Sequence, residues 1–123
     1  MPRVLIVDDH RNTRETLAMG LSLHGCTTRT AASADEAISG LRSGEYDCLV
    51  CDLRMPGRSG IELLREVRGK GLRLSVVLMT AYDVTAAEAQ VIEALDGRLF
   101  IKPVTSDTLA AILEPRVARE GLP

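Results

Sequence analysis

A strand-helix alternation repeated five times, with most of its strands short apolar runs, constrains this chain more than any other feature. Val4-Leu5-Ile6-Val7 is continuous and rich in β-branched residues, and it ends on Asp8. Leu17 and Leu21, with Ala18 and His24 near them, then follow a helical period from about Asn12, and Gly25 supplies a stop. Thr27 to Ala31 reads as a weak, polar strand suited to a sheet edge. Ser33-Ala34-Asp35-Glu36 has the form of a capping box, in which the serine caps a helix and the glutamate reaches back. That helix buries Ala37, Ile38 and Leu41 and stops near Gly44.

The second half repeats the rhythm. Asp47 to Cys51 is a strand ending at Asp52, and a Met55-Pro56-Gly57 turn leads to a helix carrying Ile61, Leu64 and Val67, closed by Gly69 and Gly71. Leu74 to Met79 is the most apolar strand and ends at Thr80. Thr85-Ala86-Ala87-Glu88 is a second capping box, opening a helix with Val91, Ile92 and Leu95. Leu99 to Ile101 is the last strand, ending at Lys102-Pro103. A final helix starts near Ser106, buries Leu109, Ile112 and Leu113, and meets Pro115.

Strands that are apolar on both faces need cover on both faces, so this alternation predicts a parallel sheet with helices on each side. Right-handed crossovers then give a doubly wound α/β fold. Five units suit the flavodoxin-like strand order 2-1-3-4-5, an order that periodicity alone does not derive. At 123 residues the chain has room for one domain, expected to span residues 1–123. Its core covers about residues 3–114, with 115–123 as a C-terminal tail or the start of a linker.

The composition excludes several classes. Hydrophobic residues make up 46% and charged ones 26%, a globular balance, and the net charge of −2 leaves no basic footprint for direct nucleic-acid binding. The opening MPRVLIVDD places charge directly after a short apolar run, which fits neither a secretory leader nor a membrane span, and the expected location is cytoplasmic. Three cysteines in such a chain argue against a disulfide framework. Cys48 and Cys51 have the spacing of a metal or redox pair, but residues three apart on a strand point to opposite faces, so both read as buried structural thiols.

Ligands of open α/β sheets bind beyond the carboxyl ends of the strands. The residues at those ends are Asp8 and Asp9, Asp52, Thr80 and Lys102, contributed by four different strands. Each alone has a bland reading: an aspartate after a strand is usually a turn or cap residue, and Lys-Pro is a common surface pair. Together they describe a chemistry. Crowded carboxylates raise one another's pKa until a hard cation relieves them, and magnesium takes one or two carboxylates while leaving room for phosphate oxygens. A carboxylate can attack a phosphoryl group, and the transfer then needs a metal, an ammonium and a hydroxyl on the equatorial oxygens.

These residues resemble the receiver domain of bacterial two-component response regulators. The likeness covers about residues 3–114 and rests on Val7-Asp8-Asp9, the DLRMPGRSG segment from Asp52 to Gly60, Met79-Thr80-Ala81 and Lys102-Pro103. It implies that Asp52 is the phosphoacceptor and that Asp9, Asp52 and the backbone carbonyl of Arg54 hold Mg2+ (or Mn2+), with Asp8 acting through metal-bound water. It also implies that Thr80 and Lys102 bind the phosphoryl oxygens and that the Lys102-Pro103 bond is cis. The donor would be a phosphohistidine on a sensor histidine kinase or a histidine phosphotransfer protein. Output would run through partner binding, or through a homodimer on the face formed by the fourth helix, fifth strand and fifth helix. Such a domain regulates rather than turns over a substrate, and a receiver cut from a longer DNA-binding or enzymatic regulator would read the same way.

Four places depart from, or tune, that pattern. Leu99 stands where the family has an aromatic switch residue, and its neighbour Phe100 faces the other way on a strand. Leu95-Asp96-Gly97 replaces a common Gly-Ala pair. Arg54 and Tyr82 occupy the two positions that set phosphoryl lifetime, and a bulky Tyr82 that restricts attacking water would prolong it. His10 reads as a loop or helix-start residue, since magnesium prefers oxygen, and His24 as a helix-end residue suited to the dipole.

Two other classes compete. A haloacid-dehalogenase-type phosphatase would carry its nucleophile on the first strand and a cap insertion; here the nucleophile belongs on the third strand. A flavodoxin would need a Ser/Thr/Gly-rich phosphate loop where this chain has Asp8-Asp9-His10-Arg11-Asn12.

Overall fold

A computed structural model describes residues 2–43, 45–81 and 83–120, with the side chains of residue 43 and of 114–120 left aside. The elements alternate throughout: β1 (Arg3–Val7), α1 (Arg11–Leu23), β2 (Thr27–Ala31), α2 (Ala34–Ser43), β3 (Cys48–Asp52), α3 (Gly60–Gly69), β4 (Ser75–Thr80), α4 (Ala86–Ala94), β5 (Gly97–Ile101) and α5 (Ser106–Glu120). The strands form one parallel sheet in the order β2-β1-β3-β4-β5, which is the flavodoxin-like arrangement.

Alternate residues of each central strand feed two separate cores. Leu5, Val7, Leu49, Cys51, Val76 and Leu78 pack against α2, α3 and α4. Val4, Ile6, Cys48, Val50, Val77 and Met79 pack against α1 and α5. Cys48 and Cys51 therefore lie on opposite faces, both buried and free, and burial pushes the Cys51 thiol well above its ordinary pKa. The strand β2 pairs only with β1 and has a largely exposed pattern, as its polar sequence predicts for an edge. Helices α1 and α5 approach closely because residue 20 is glycine: a Cβ there would sit 2.1 Å from Ser106 Oγ.

Local signals hold with a few corrections. Thr85 and Glu88 form the expected reciprocal capping box. At α2 Ser33 Oγ accepts from the Glu36 amide, but the Glu36 carboxylate accepts from Ala32 rather than from Ser33. Ser59, which the sequence reading passed over, caps α3 by accepting from the Glu62 amide. Gly25 follows α1 with φ +91°, the left-handed stop its position predicts. The final helix continues past Pro115 to Glu120. A proline's fixed φ is itself helical, so the residue removes one backbone bond without ending the helix. Gly44 lies outside the described residues.

Candidate functional site

The described residues contain three buried polar side chains, Asp8, Asp52 and Thr80, and all three stand at carboxyl ends of central strands. Asp8 follows the last residue of β1, Asp52 closes β3 and Thr80 closes β4. Register aligns these ends: Val7 pairs with Cys51, Asp52 with Met79, and Thr80 with Ile101, the residue before Lys102. A parallel sheet with helices on both faces leaves no apolar cover at this edge, so polar groups accumulate where the strands stop. The Lys102-Pro103 bond is cis, as expected, and the Lys102 amide donates to the Thr80 carbonyl at 2.7 Å.

Lys102 Nζ lies 3.3 Å from Asp52 Oδ2 and 3.9 Å from Asp8 Oδ2. Burial pushes the Asp52 carboxyl above its ordinary pKa, and the charge of Asp8 adds to this. Lys102 and the Arg54 backbone N–H pull the other way without cancelling the rise. Behind Asp52 the chain is held tightly: the Leu53 amide donates to the Met79 carbonyl and the Gly60 amide to the Leu53 carbonyl. A Cβ on Gly60 would meet the Asp52 carbonyl oxygen at 2.8 Å, so only glycine lets α3 start this close to the aspartate.

Beside them lie Asp9 and His10. The His10 amide donates to Asp8 Oδ1 at 2.8 Å, and its ring Nδ1 lies 3.2 Å from that oxygen and 3.4 Å from Asp9 Oδ1. Asp8, Asp9, His10 and Asp52 each offer one donor atom, all within 4.8 Å of one another. Two shielded oxygens, Asp8 Oδ2 and Asp9 Oδ1, have no hydrogen-bond partner among the described residues. Carboxylate oxygens crowded together without a hydrogen-bond donor fit a hard divalent cation such as Mg2+ or Mn2+.

A second polar chain leads away from the site. The Thr80 hydroxyl donates to Asp83 Oδ1 at 2.5 Å, and Asp83 Oδ2 accepts from Arg54 Nε at 3.0 Å. The Arg54 guanidinium also donates to the Asp83 carbonyl and grips both Glu88 oxygens, at 2.6 and 2.8 Å. Thr80's hydroxyl and Arg54 together hold the Asp83 carboxyl below its ordinary value, and Arg54 draws Glu88 down to about 2.

Asp8, Asp52, Thr80 and Lys102 thus converge as the sequence predicts, with Asp9 at the rim. Leu99 packs against the α2–α3–α4 core and Phe100 against the α1–α5 core, so the two face opposite ways as expected. Tyr82 lies outside the described residues. Sequence reasoning missed Asp83 and underused His10. Asp83 sits in an aperiodic loop, where spacing carries no signal; for His10 the direct succession to Asp8-Asp9 was the available clue.

The profile of the response regulator receiver domain matches residues 4–114. The response regulator MprA of Mycobacterium tuberculosis is 32% identical over 117 residues, which cover 95% of this chain and 51% of MprA. The chain therefore spans about half the length of the curated relatives it matches. Among solved structures, the receiver domain of a Francisella response regulator is 27% identical with a TM-score of 0.83, covering 95% of this chain and 99% of that one. The Vibrio cholerae chemotaxis protein CheY4 is 25% identical with a TM-score of 0.84, covering 94% and 98%. The chain belongs to the response regulator receiver domain family.

Proposed function

We propose that Asp52 accepts a phosphoryl group from a phosphohistidine and that the event changes what this domain binds. The observation that carries this is the placement of Lys102 Nζ 3.3 Å from a buried Asp52 carboxylate beside two shielded carboxylate oxygens that accept no hydrogen bond among the described residues. In the step, an Asp52 oxygen bonds to phosphorus as the donor's P–N bond breaks. The electron pair of that bond returns to the imidazole, which takes up a proton. Lys102 neutralises one equatorial oxygen, and the Thr80 hydroxyl leaves Asp83 to donate to another. A Mg2+ (or Mn2+) ion held at the acidic cluster would supply further positive charge for the transferring group. Asp9, Asp52 and the Arg54 carbonyl would hold it directly, and Asp8 through water.

The partners that fit are a sensor histidine kinase or a histidine phosphotransfer protein, in the cytoplasm. No helix of the described residues is long and apolar enough to cross a membrane. The domain regulates, and the only chemistry it promotes is its own phosphorylation and dephosphorylation. The test is phosphoramidate loading with Mg2+, read by intact-mass spectrometry. Wild type gains a hydroxylamine-labile phosphoryl group and Asp52→Asn gains none; a phosphoryl group retained on Asp52→Asn overturns the assignment.

A second reading concerns the output. Relatives about twice as long favour a receiver that works within a longer DNA-binding or enzymatic regulator. Dimerisation through α4, β5 and α5 would then transmit the signal, and the oligomeric state with and without beryllofluoride distinguishes this from monomeric partner binding. Tyr82 and Arg54 are the positions proposed to set the lifetime of the phosphoryl group.

A further inference from the structure

We propose that His10 is a direct ligand of the divalent cation through its ring Nδ1, making this a mixed nitrogen–oxygen centre that favours late first-row transition metals over Mg2+. The proposal rests on the acidic metal centre of the preceding section and adds one residue to it. His10 caps α1, yet its side chain makes no capping bond. Among the described residues its ring bonds to Asp8 and lies in ion-pair range of Asp8 and Asp9, and to nothing else. The ring is therefore spent on the site rather than on the helix.

The spacing suits coordination. Donors on neighbouring vertices of an octahedral ion with bonds of about 2.1 Å stand roughly 3 Å apart. Nδ1 lies 3.4 Å from Asp9 Oδ1, and the donor atoms of Asp9, His10 and Asp52 fall within 4.8 Å of one another. Asp8 is wholly buried and its Oδ2 is unpartnered, so the centre lacks positive charge from within the chain beyond Lys102 at 3.9 Å. The His10 amide already donates to Asp8 Oδ1 at 2.8 Å. That bond fixes the backbone, and the mostly exposed ring moves onto an ion without unpacking the core.

Chemistry then sets the preference. Magnesium gains little from an imidazole and readily keeps a water in its place. Nickel, cobalt and zinc bind imidazole well, and affinity at such sites rises along the first-row series. A ring that only hydrogen-bonds Asp8 would show no such discrimination between metals.

Calorimetric titration with Ni2+ and with Mg2+ at about pH 8 tests this on wild type, His10→Ala, His10→Gln, Asp9→Asn and His24→Ala. The expected result is a loss of more than about tenfold in Ni2+ affinity in both His10 variants, since even outer-sphere partners of metal ligands cost about 10–100-fold. Mg2+ affinity in those variants stays within about threefold of wild type, and His24→Ala binds Ni2+ as wild type does. Nitrogen modulation in the pulsed electron paramagnetic resonance spectrum of bound Mn2+ is expected in wild type and absent in His10→Gln. Unchanged Ni2+ affinity in both His10 variants overturns the His10 assignment and leaves the acidic centre standing. Failure of wild type to bind Mg2+, or of Asp9→Asn to weaken both metals, overturns the centre itself and the inference with it.

Discussion

The two ends of the sheet treat polar groups in opposite ways. At the carboxyl end, buried Asp8 and its neighbour Asp9 keep oxygens that accept no hydrogen bond among the described residues, and burial pushes Asp52 towards its neutral form. At the amino end, Arg68 of α3 donates to four carbonyl oxygens, those of Leu95, Leu72, Leu74 and Asp96, at 2.8–3.2 Å. One guanidinium there joins the end of α3 to the loop before β4 and the turn before β5. An open groove of about 670 Å³ lies at that end, lined by Arg68 and by the carbonyl-bearing segments it binds, and the acid cluster of the described residues lies at the other end. Size does not mark the functional end of this molecule. Unmet electrostatic demand does.

If that contrast is right, removing charge should have opposite effects at the two ends. The largest effect is expected at Arg68. Arg68→Ala strands four main-chain acceptors in a half-buried position, and hydrogen bonds to charged donors are individually strong but not additive. A loss of about 3 kcal/mol is expected, seen as a fall in Tm of roughly 10–15 °C. Arg68→Lys should recover only part of this, because an ammonium cannot reach several carbonyls with a planar fork. Urea denaturation showing a loss under about 1 kcal/mol would break the comparison at its structural end.

Asp8→Asn probes the other end, with a smaller effect of opposite sign. The amide keeps an acceptor for the His10 N–H and removes a buried charge that lies against Asp52. In EDTA the variant should gain about 1 kcal/mol, or roughly 3–6 °C in Tm. Wild type should be stabilised on adding Mg2+, by about 2.7 kcal/mol at a concentration 100 times Kd, while Asp8→Asn responds much less. A variant less stable than wild type in EDTA would show that Asp8 is structural, and the contrast between the ends would fail.

The same contrast explains what could be read in advance. The fold was legible because continuous apolar strand runs and helices with period 3.6 leave a pattern along the chain, and because a strand's last residue is identifiable from where that run stops. Asp52, Thr80 and Lys102 were found through that rule. Arg68 was not, since a helical arginine looks the same in sequence whether it faces water or four carbonyls. Arg54 was placed as a neighbour of Asp52, but its grip on Asp83 and Glu88 spans 29 and 34 residues and depends on where the β4–α4 loop folds back. Glu88 was read as a cap and is one, with the Thr85 amide on the same oxygen that Arg54 holds. The run of α5 beyond Pro115 went unread because a proline signals a boundary more often than a continuation.

That Arg54 network sits between the two regimes, being polar, close to the site and fully paired, and it supplies the smallest predicted effect. Glu88 is drawn from an ordinary value of 4.5 down to about 2 by Arg54 and by the capping bonds of Thr85. A carboxyl whose pKa falls on folding contributes stability above its unfolded value and loses it as pH drops through the folded one. The contribution should therefore be present above about pH 4.5 and fade towards pH 2, and solvent screening keeps it small. Glu88→Gln should shift Tm by no more than about 2 °C at neutral pH. Its consequence lies elsewhere: a weaker hold on Arg54 loosens Asp83, and Asp83 is what occupies the Thr80 hydroxyl in this structure. Phosphoramidate should then load the variant faster than wild type, because Thr80 is freer to reach the phosphoryl group. Carboxyl-detected NMR titration checks the first half and loading rates the second. A Glu88 midpoint near 4.5, or equal loading rates, would mean that the network is surface decoration and that nothing restrains Thr80.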